Sequence, residues 1–243
     1  MQRFKKMMSM AALAALAGLV LAMSPNNQDP PFTSDFGFEE LSNLVPRGGN
    51  RYFSLRPGAF QRLEGEDDGQ FVVVKITVLN EIKVIPFLVD GELVVAVARV
   101  VEEREWTDGR LAQISRNYYA CNEDSGNVYY LGEDVDHYEN GQLIGHEDSW
   151  RAGRDGAMPG LMMPKLFLLG ARYQMEQAPD VSMDRGENVR MGFRHRTPAG
   201  LFRHCIMVEE TTPLEPEEET IKIYAPGVGL IVDDDLELVA YRD

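Results

Sequence analysis

The chain has 243 residues, of which 44% are hydrophobic and 26% charged, enough for a single β-rich domain with a sizeable core. Its formal net charge is −15, from 39 acidic and 24 basic residues. Nucleic acid is not an expected partner, because phosphate binding needs clustered Lys and Arg that displace counterions, and no such cluster occurs.

The first 22 residues have the pattern of a secretory signal peptide. Arg3, Lys5 and Lys6 form a basic start, an apolar run extends from Met7 to about Ala22, and Val20-Leu21-Ala22 fits the small-residue cleavage rule. We expect cleavage after Ala22, which predicts a periplasmic or secreted protein with no stable membrane span. The alternative is an uncleaved anchor, because the run is about as long as the shortest membrane helices, roughly 17 residues.

Residues 23–50 are rich in Pro, Asn, Asp, Ser and Gly and show little periodicity, which predicts a flexible N-terminal arm. Four apolar side chains, Phe32, Phe36, Phe38 and Leu41, could still hold part of this arm against a core.

Residues 51–243 are interpreted as one antiparallel β domain. Runs such as FVVVKITVLN and ELVVAVARVVEEREW carry the β-branched enrichment of strands. Four turn dipeptides separate the runs at a nearly regular step, and Asp-Gly and Asn-Gly supply the positive φ angles of tight hairpins. The dipeptides are Asp90-Gly91, Asp108-Gly109, Ser125-Gly126 and Asn140-Gly141.

The C-terminal third continues the pattern, with Pro-then-Gly turns at Thr197–Gly200 and Ala225–Gly227. About ten strands must avoid leaving exposed hydrophobic edges. The predicted fold is therefore all-β, a single antiparallel meander that forms a barrel or a strongly curved sheet with a long covering loop.

Cys121 and Cys205 are the only cysteines, and export would place them where thiols oxidise. An even number of cysteines in such a compartment favours a Cys121–Cys205 disulfide. A nucleophilic role is disfavoured at Cys121, because the acidic neighbours Glu123 and Asp124 would oppose formation of the thiolate.

A two-residue loop at Asn140-Gly141 would pair Glu139 with Gln142, His137 with Ile144, Val135 with His146, and Glu133 with Asp148. One face of this hairpin would then carry imidazole and carboxylate groups, the usual ligands of zinc and similar divalent ions. The candidate ligands are His137, His146, Glu133 and Asp148. The alternative is an exposed hairpin with alternating polar residues, which is favoured because no pair has the spacing of a known metal motif.

The segment Glu147–Pro164 has two interpretations. As a ligand clamp, Trp150 would stack on the ligand, Arg151 and Arg154 would bind an anionic group, and Met158, Met162 and Met163 would line an apolar pocket. As a structural cover, its Trp and Met residues would fill the open end of the sheet. The cover is favoured, because apolar loops more often fill a core.

Several long motifs resemble a family of uncharacterised bacterial exported β-rich proteins. They include WRAG-DGA-PG--MP within residues 150–164, TPAG-F from Thr197, TPLEP from Thr212 and YAPGVGL from Tyr224, and the similarity extends from about Tyr52 onward. The resemblance implies a signal peptide, a β-rich domain and cysteines at the positions of Cys121 and Cys205, which supports the disulfide. The TPAG-F and APGVGL turns are also similar to exported proteins whose curved sheet holds a lipid or apolar ligand.

The sequence therefore predicts an exported, non-catalytic binding protein for an apolar or amphipathic small molecule. No catalytic residue is assigned, because no GxSxG elbow, phosphate-binding loop or dinucleotide fingerprint occurs. No cofactor is expected apart from the alternative of a divalent metal, and the oligomeric state is not predicted. Two other functions stay open, a metal- or carboxylate-dependent hydrolase and a structural or interaction protein of the cell envelope.

Overall fold

The computed structural model of the protein describes residues 30–242. The signal peptide predicted at residues 1–22 lies outside the described residues, as does the first part of the predicted arm, up to residue 29.

Within the described range about two-thirds of the residues lie in strands of antiparallel sheet. One short helix, α1, spans Gly37–Leu41. The strands are β1 (Leu44–Val45), β2 (Gly49–Asn50), β3 (Phe53–Ser54), β4 (Phe60–Asp67), β5 (Gln70–Val89), β6 (Glu92–Thr107), β7 (Arg110–Asn122), β8 (Val128–Glu139), β9 (Gln142–Gly145), β10 (Trp150–Arg151), β11 (Gly160–Met163), β12 (Arg172–Gln174), β13 (Arg185–Thr197), β14 (Gly200–Thr212), β15 (Glu215–Ala225), β16 (Gly229–Asp233) and β17 (Leu236–Arg242).

Three of the four predicted turn dipeptides form tight hairpin turns. Asp90-Gly91, Asp108-Gly109 and Asn140-Gly141 have positive φ at both positions, as a type I′ turn requires, and they join β5 to β6, β6 to β7 and β8 to β9. Asp68-Gly69 makes the same turn between β4 and β5, which was not predicted. Ser125-Gly126 lies in a longer loop, where only the glycine has positive φ.

The all-β, antiparallel prediction is confirmed, but the single meander is wrong. Strands β4 to β8 form one meander and β12 to β17 form a second, and the last strand, β17, pairs with the first long strand, β4. The main sheet has the order β10-β8-β7-β6-β5-β4-β17-β16-β15-β14-β13-β12, and the described strands do not close it into a barrel. The segment from β9 to β11 carries the chain from one end of this order to the other, which a meander of neighbouring hairpins cannot do.

The sheet curves strongly, because side chains from distant strands share one core. Val78 and Ile85 of β5 lie in the same buried cluster as Ile206 of β14 and Tyr224 of β15, although β4, β17 and β16 separate these strands in the sheet. A second cluster, which includes Leu63, Cys205 and Ile223, lies among β4, β5 and the C-terminal strands. Strands β14 and β15 therefore contribute side chains to a core on each of their faces.

The described part of the N-terminal arm packs on this core, with Phe36, Phe38 and Leu41 among the side chains that hold it there. Leu41 and Leu44 are buried, and the ring of Phe36 lies edge-on to Tyr129 with centroids 5.4 Å apart. Strand β1 pairs with the end of β7, placing Val45 opposite Cys121. The apolar side chains of this polar segment are sufficient to dock it.

No helix within residues 30–242 has the length and apolar character needed to cross a membrane.

Candidate functional site

A cavity lies inside the curve of the sheet, between β4 to β7 on one side and β15 and β16 on the other. Its volume is about 80 Å³, several times the roughly 10–15 Å³ that one water molecule needs on the same measure. Most of its wall is apolar, and the polar part includes the carboxyl of Glu103 and the ammonium group of Lys222. The lining residues are Tyr52, Phe53, Ser54, Gln61, Ile76, Val78, Val101, Glu103, Asn117, Tyr119, Met162, Lys222, Tyr224, Gly229 and Leu230.

Lys222 also lines a second cavity, of about 50 Å³, beside the first. Its Nζ lies 2.9 Å from Glu210 Oε2, and the side chains of both residues are about nine-tenths buried. Asp233 lies directly opposite Lys222 on β16 and is also buried. Burial lowers the pKa of Lys222, but Asp233 and Glu210 raise that pKa by more, so the ammonium group stays charged.

Glu103 of β6 faces the same cavity without a hydrogen-bond partner among residues 30–242. It is only 9% exposed. The pKa of its carboxyl is raised to about 7, mainly by burial and also by Asp233, against an opposing effect of Lys222. An unpaired carboxyl at this depth is unusual, because buried polar groups in folded proteins almost always have partners.

The wall behind Glu103 carries further buried polar groups. The Tyr130 hydroxyl donates a hydrogen bond to Asn117 Oδ1, and burial raises the pKa of Tyr119 and Tyr130 well above the usual value. Burial also raises the pKa of Glu133 and, more strongly, that of Glu176, where the neighbouring carboxylates add to the effect. The acidic groups near this wall are thus buried and favour the protonated form.

The six predicted clamp residues of Glu147–Pro164 do not form one ligand site. Trp150 and Met163 are buried in the core, with the Trp150 ring edge-on to Tyr130 at 5.3 Å between centroids. Arg151 pairs with Asp134 and lies over the ring of Tyr118. Of the six residues, only Met162 lines the cavity beside Glu103, whereas Arg154 is exposed and Met158 lies beside a different surface cleft.

The four predicted metal ligands do not come together, because the predicted register of the hairpin was wrong. Glu139 does face Gln142, but an irregularity next to Tyr138 places His137 opposite Gly145, where β9 ends. Glu133 then lies opposite Trp150 of β10 and turns into the core.

As a consequence, His137 Nε2 lies 3.2 Å from Asp148 Oδ2, while His146 Nδ1 pairs with Asp136 Oδ1 at 2.8 Å. Among the described residues, no three or more His, Cys, Asp or Glu side chains are arranged to hold a metal ion.

The predicted disulfide is not formed, and both cysteines are free and buried. Cys121 lies at the end of β7 in the first core cluster, with its Sγ 3.8 Å from Gly49 O. Cys205 lies on β14 in the second cluster. The two thiols therefore occupy different cores, which the even cysteine count could not show.

Glu103, Glu210, Lys222 and Asp233 were all missed by sequence reasoning. Glu103 stands in the run EEREW, which looks like a solvated strand end, and Lys222 alternates with Ile221 and Ile223 as a solvent-facing residue would. The one available signal was that the same strand ends in IYA, apolar on both faces.

No protein-family model matches the chain, and no curated protein sequence matches it. Among solved structures, the chain is similar to a putative lipoprotein from Parabacteroides distasonis ATCC 8503, with 14% sequence identity and a TM-score of 0.35. The similarity covers 81% of this chain and 100% of that chain. At this TM-score the likeness carries no argument about function.

Proposed function

We propose that this protein is an exported, non-catalytic binding protein that holds an amphipathic small molecule in the cavity inside its curved sheet. The observation that carries the proposal is the division of the cavity wall. Ile76, Val78, Val101 and Leu230 offer an apolar surface, and Glu103 and Lys222 offer ionisable groups. Small-molecule sites in proteins commonly combine an apolar lining with a few placed polar groups.

Export is supported by the signal-peptide pattern of residues 1–22. The role of the Glu147–Pro164 segment in this proposal is mainly structural. Its Trp150 and Met163 complete the core behind the cavity, and Met162 is its contribution to the lining. The ligand therefore contacts the sheet more than the loop.

The proposal is tested by native mass spectrometry of the protein purified after export and by calorimetric titration of the ligand-free protein with hexanol. Hexanol carries a short apolar chain and one hydroxyl, which suits a small cavity of this lining. We expect one site per chain and a rise in the melting temperature with hexanol concentration, since a ligand that binds only the folded state stabilises it.

A matched pair of variants locates the site. Val101→Phe would fill the cavity, because Val101 is 4% exposed and lines it, whereas Val95→Phe adds the same bulk on the same strand at a position 57% exposed. Hexanol binding should be lost in the first variant and unchanged in the second. Absence of any retained ligand together with no hexanol binding by the wild-type protein would overturn the proposal.

A further inference from the structure

The carboxyl of Glu103 lacks a hydrogen-bond donor that a ligand could supply. The residue is nine-tenths buried and lines the cavity, and its carboxyl accepts no hydrogen bond from any group within residues 30–242. Its hydrogen bonds must therefore come from whatever molecule occupies the cavity. A ligand group that donates hydrogen bonds to the Glu103 carboxyl would supply the missing partner.

The charges around Glu103 select the kind of donor. Asp233 of β16 and Glu105 of its own strand act on it as negative neighbours, and Tyr119 of β7 is a neutral one. Within residues 30–242, Lys222 of β15 is the cationic side chain that acts on it. Lys222 is already engaged by Glu210 and Asp233. Around Glu103, carboxylates thus outnumber cations. This favours a ligand with a positive head group and disfavours one with an anionic head group.

We infer that the ligand is a small amphipathic amine, whose ammonium group donates hydrogen bonds to Glu103 while its apolar tail lies against Ile76, Val78 and Val101. This inference rests on the proposed function, and it adds the chemical class of the ligand. Hydrogen bonds between charged partners are the stronger ones, and they gain further in a site that excludes water.

Proton release on ligand binding provides a second measurement. In the free protein Glu103 holds a proton below about pH 7, because burial raises the pKa of its carboxyl to about 7. An ammonium ion that binds the carboxylate must displace this proton to solvent. Binding of hexylamine at pH 6 should therefore release up to one proton, whereas binding of hexanol should release none.

The experiment compares hexylamine, hexanol and hexanoate by calorimetric titration at pH 6, in two buffers of different ionisation enthalpy. We expect hexylamine to bind at least about tenfold more tightly than hexanol, and hexanoate most weakly. In Glu103→Gln the preference for the amine and the proton release should both disappear. The control Glu92→Gln makes the same charge change at an exposed position at the start of the same strand and should keep both.

The outcomes separate the two proposals. Equal affinity for hexanol and hexylamine, tighter binding of hexanoate, or an amine preference that persists in Glu103→Gln would overturn the amine assignment and leave the cavity as a binding site. No binding of any of the three would overturn both. If Glu103→Gln does not fold, proton release by the wild-type protein decides, since its absence on hexylamine binding overturns the inference.

Discussion

Lys222 and Glu210 form an ion pair inside the protein, with 2.9 Å between Nζ and Oε2 and side chains that are 10% and 9% exposed. They lie on the neighbouring strands β15 and β14, on the face that looks into the curve of the sheet. Asp233 is a second carboxylate partner of the same ammonium group. Lys222 lines both cavities, so its ion-paired ammonium group lies between them in a protein whose net charge is −15.

Replacing Lys222 with Met should destabilise the protein by about 3–5 kcal/mol, because it leaves buried carboxylates without their cation. Urea unfolding at pH 7 measures the loss. The double variant Lys222→Met with Glu210→Gln should recover part of it, and Lys165→Met, at an exposed position, should cost little. A loss in Lys222→Met no larger than in Lys165→Met would contradict the interaction.

Stability should depend on pH through Glu103. Its folded-state pKa is raised from 4.5 to about 7, so the folded protein holds this proton more tightly than the unfolded chain does. The contribution is fully present below about pH 4.5 and is lost as pH rises to about 7.

The side chain of Glu103→Gln does not titrate, so it stays neutral at every pH. Its free energy of unfolding should therefore exceed that of the wild type by on the order of 3 kcal/mol at pH 8 and match it near pH 4. Chemical denaturation across this range provides the comparison. A wild-type minus variant difference that is constant with pH would show that the carboxyl is not perturbed.

Trp150 should be a structural residue of the crossover segment. It is 6% exposed and packs edge-on against Tyr130. Trp150→Ala should therefore cost about 3–5 kcal/mol of unfolding free energy, as for other large-to-small core substitutions. Trp106, at the end of β6, is only half-buried, and Trp106→Ala should cost clearly less. Equal losses in the two variants would argue against a core role for Trp150.

Both cysteines should be free thiols that are protected by the fold. Iodoacetamide added to the protein in denaturant without reductant should modify Cys121 and Cys205, and mass spectrometry should show two adducts per chain. In native buffer the reaction should be slow, because both side chains are buried and burial raises the pKa of each thiol. Two fewer mass units and no adducts in denaturant would reveal a disulfide instead.

The exposed apolar face of the β5–β6 hairpin also follows from the alternation of its residues. Val84, Leu88, Leu93 and Val95 are more than half exposed, while Ile85, Phe87 and Val94 between them are buried. Continuous apolar runs in these strands therefore predicted strands correctly but did not show that one side of the hairpin faces solvent.

The sequence by itself determined the hairpin turns and the strands, because these depend on the conformational preferences of neighbouring residues. Asp-Gly and Asn-Gly dipeptides fixed three of the hairpin turns because few other residues adopt positive φ at two successive positions. The β-branched runs determined the strands, since their side chains fit a pleated surface. The antiparallel, all-β class follows from these two features together.

Only the tertiary structure decided which side chains meet. One irregularity beside Tyr138 shifted the β8–β9 register, and because strand side chains alternate between faces, that shift separated the predicted metal ligands. The pairing of β17 with β4 curved the sheet and covered both faces of β15, so Lys222 became buried where alternation alone would place it in solvent. The cavity and its carboxylate arise from contacts between strands far apart in the chain, which no local pattern encodes.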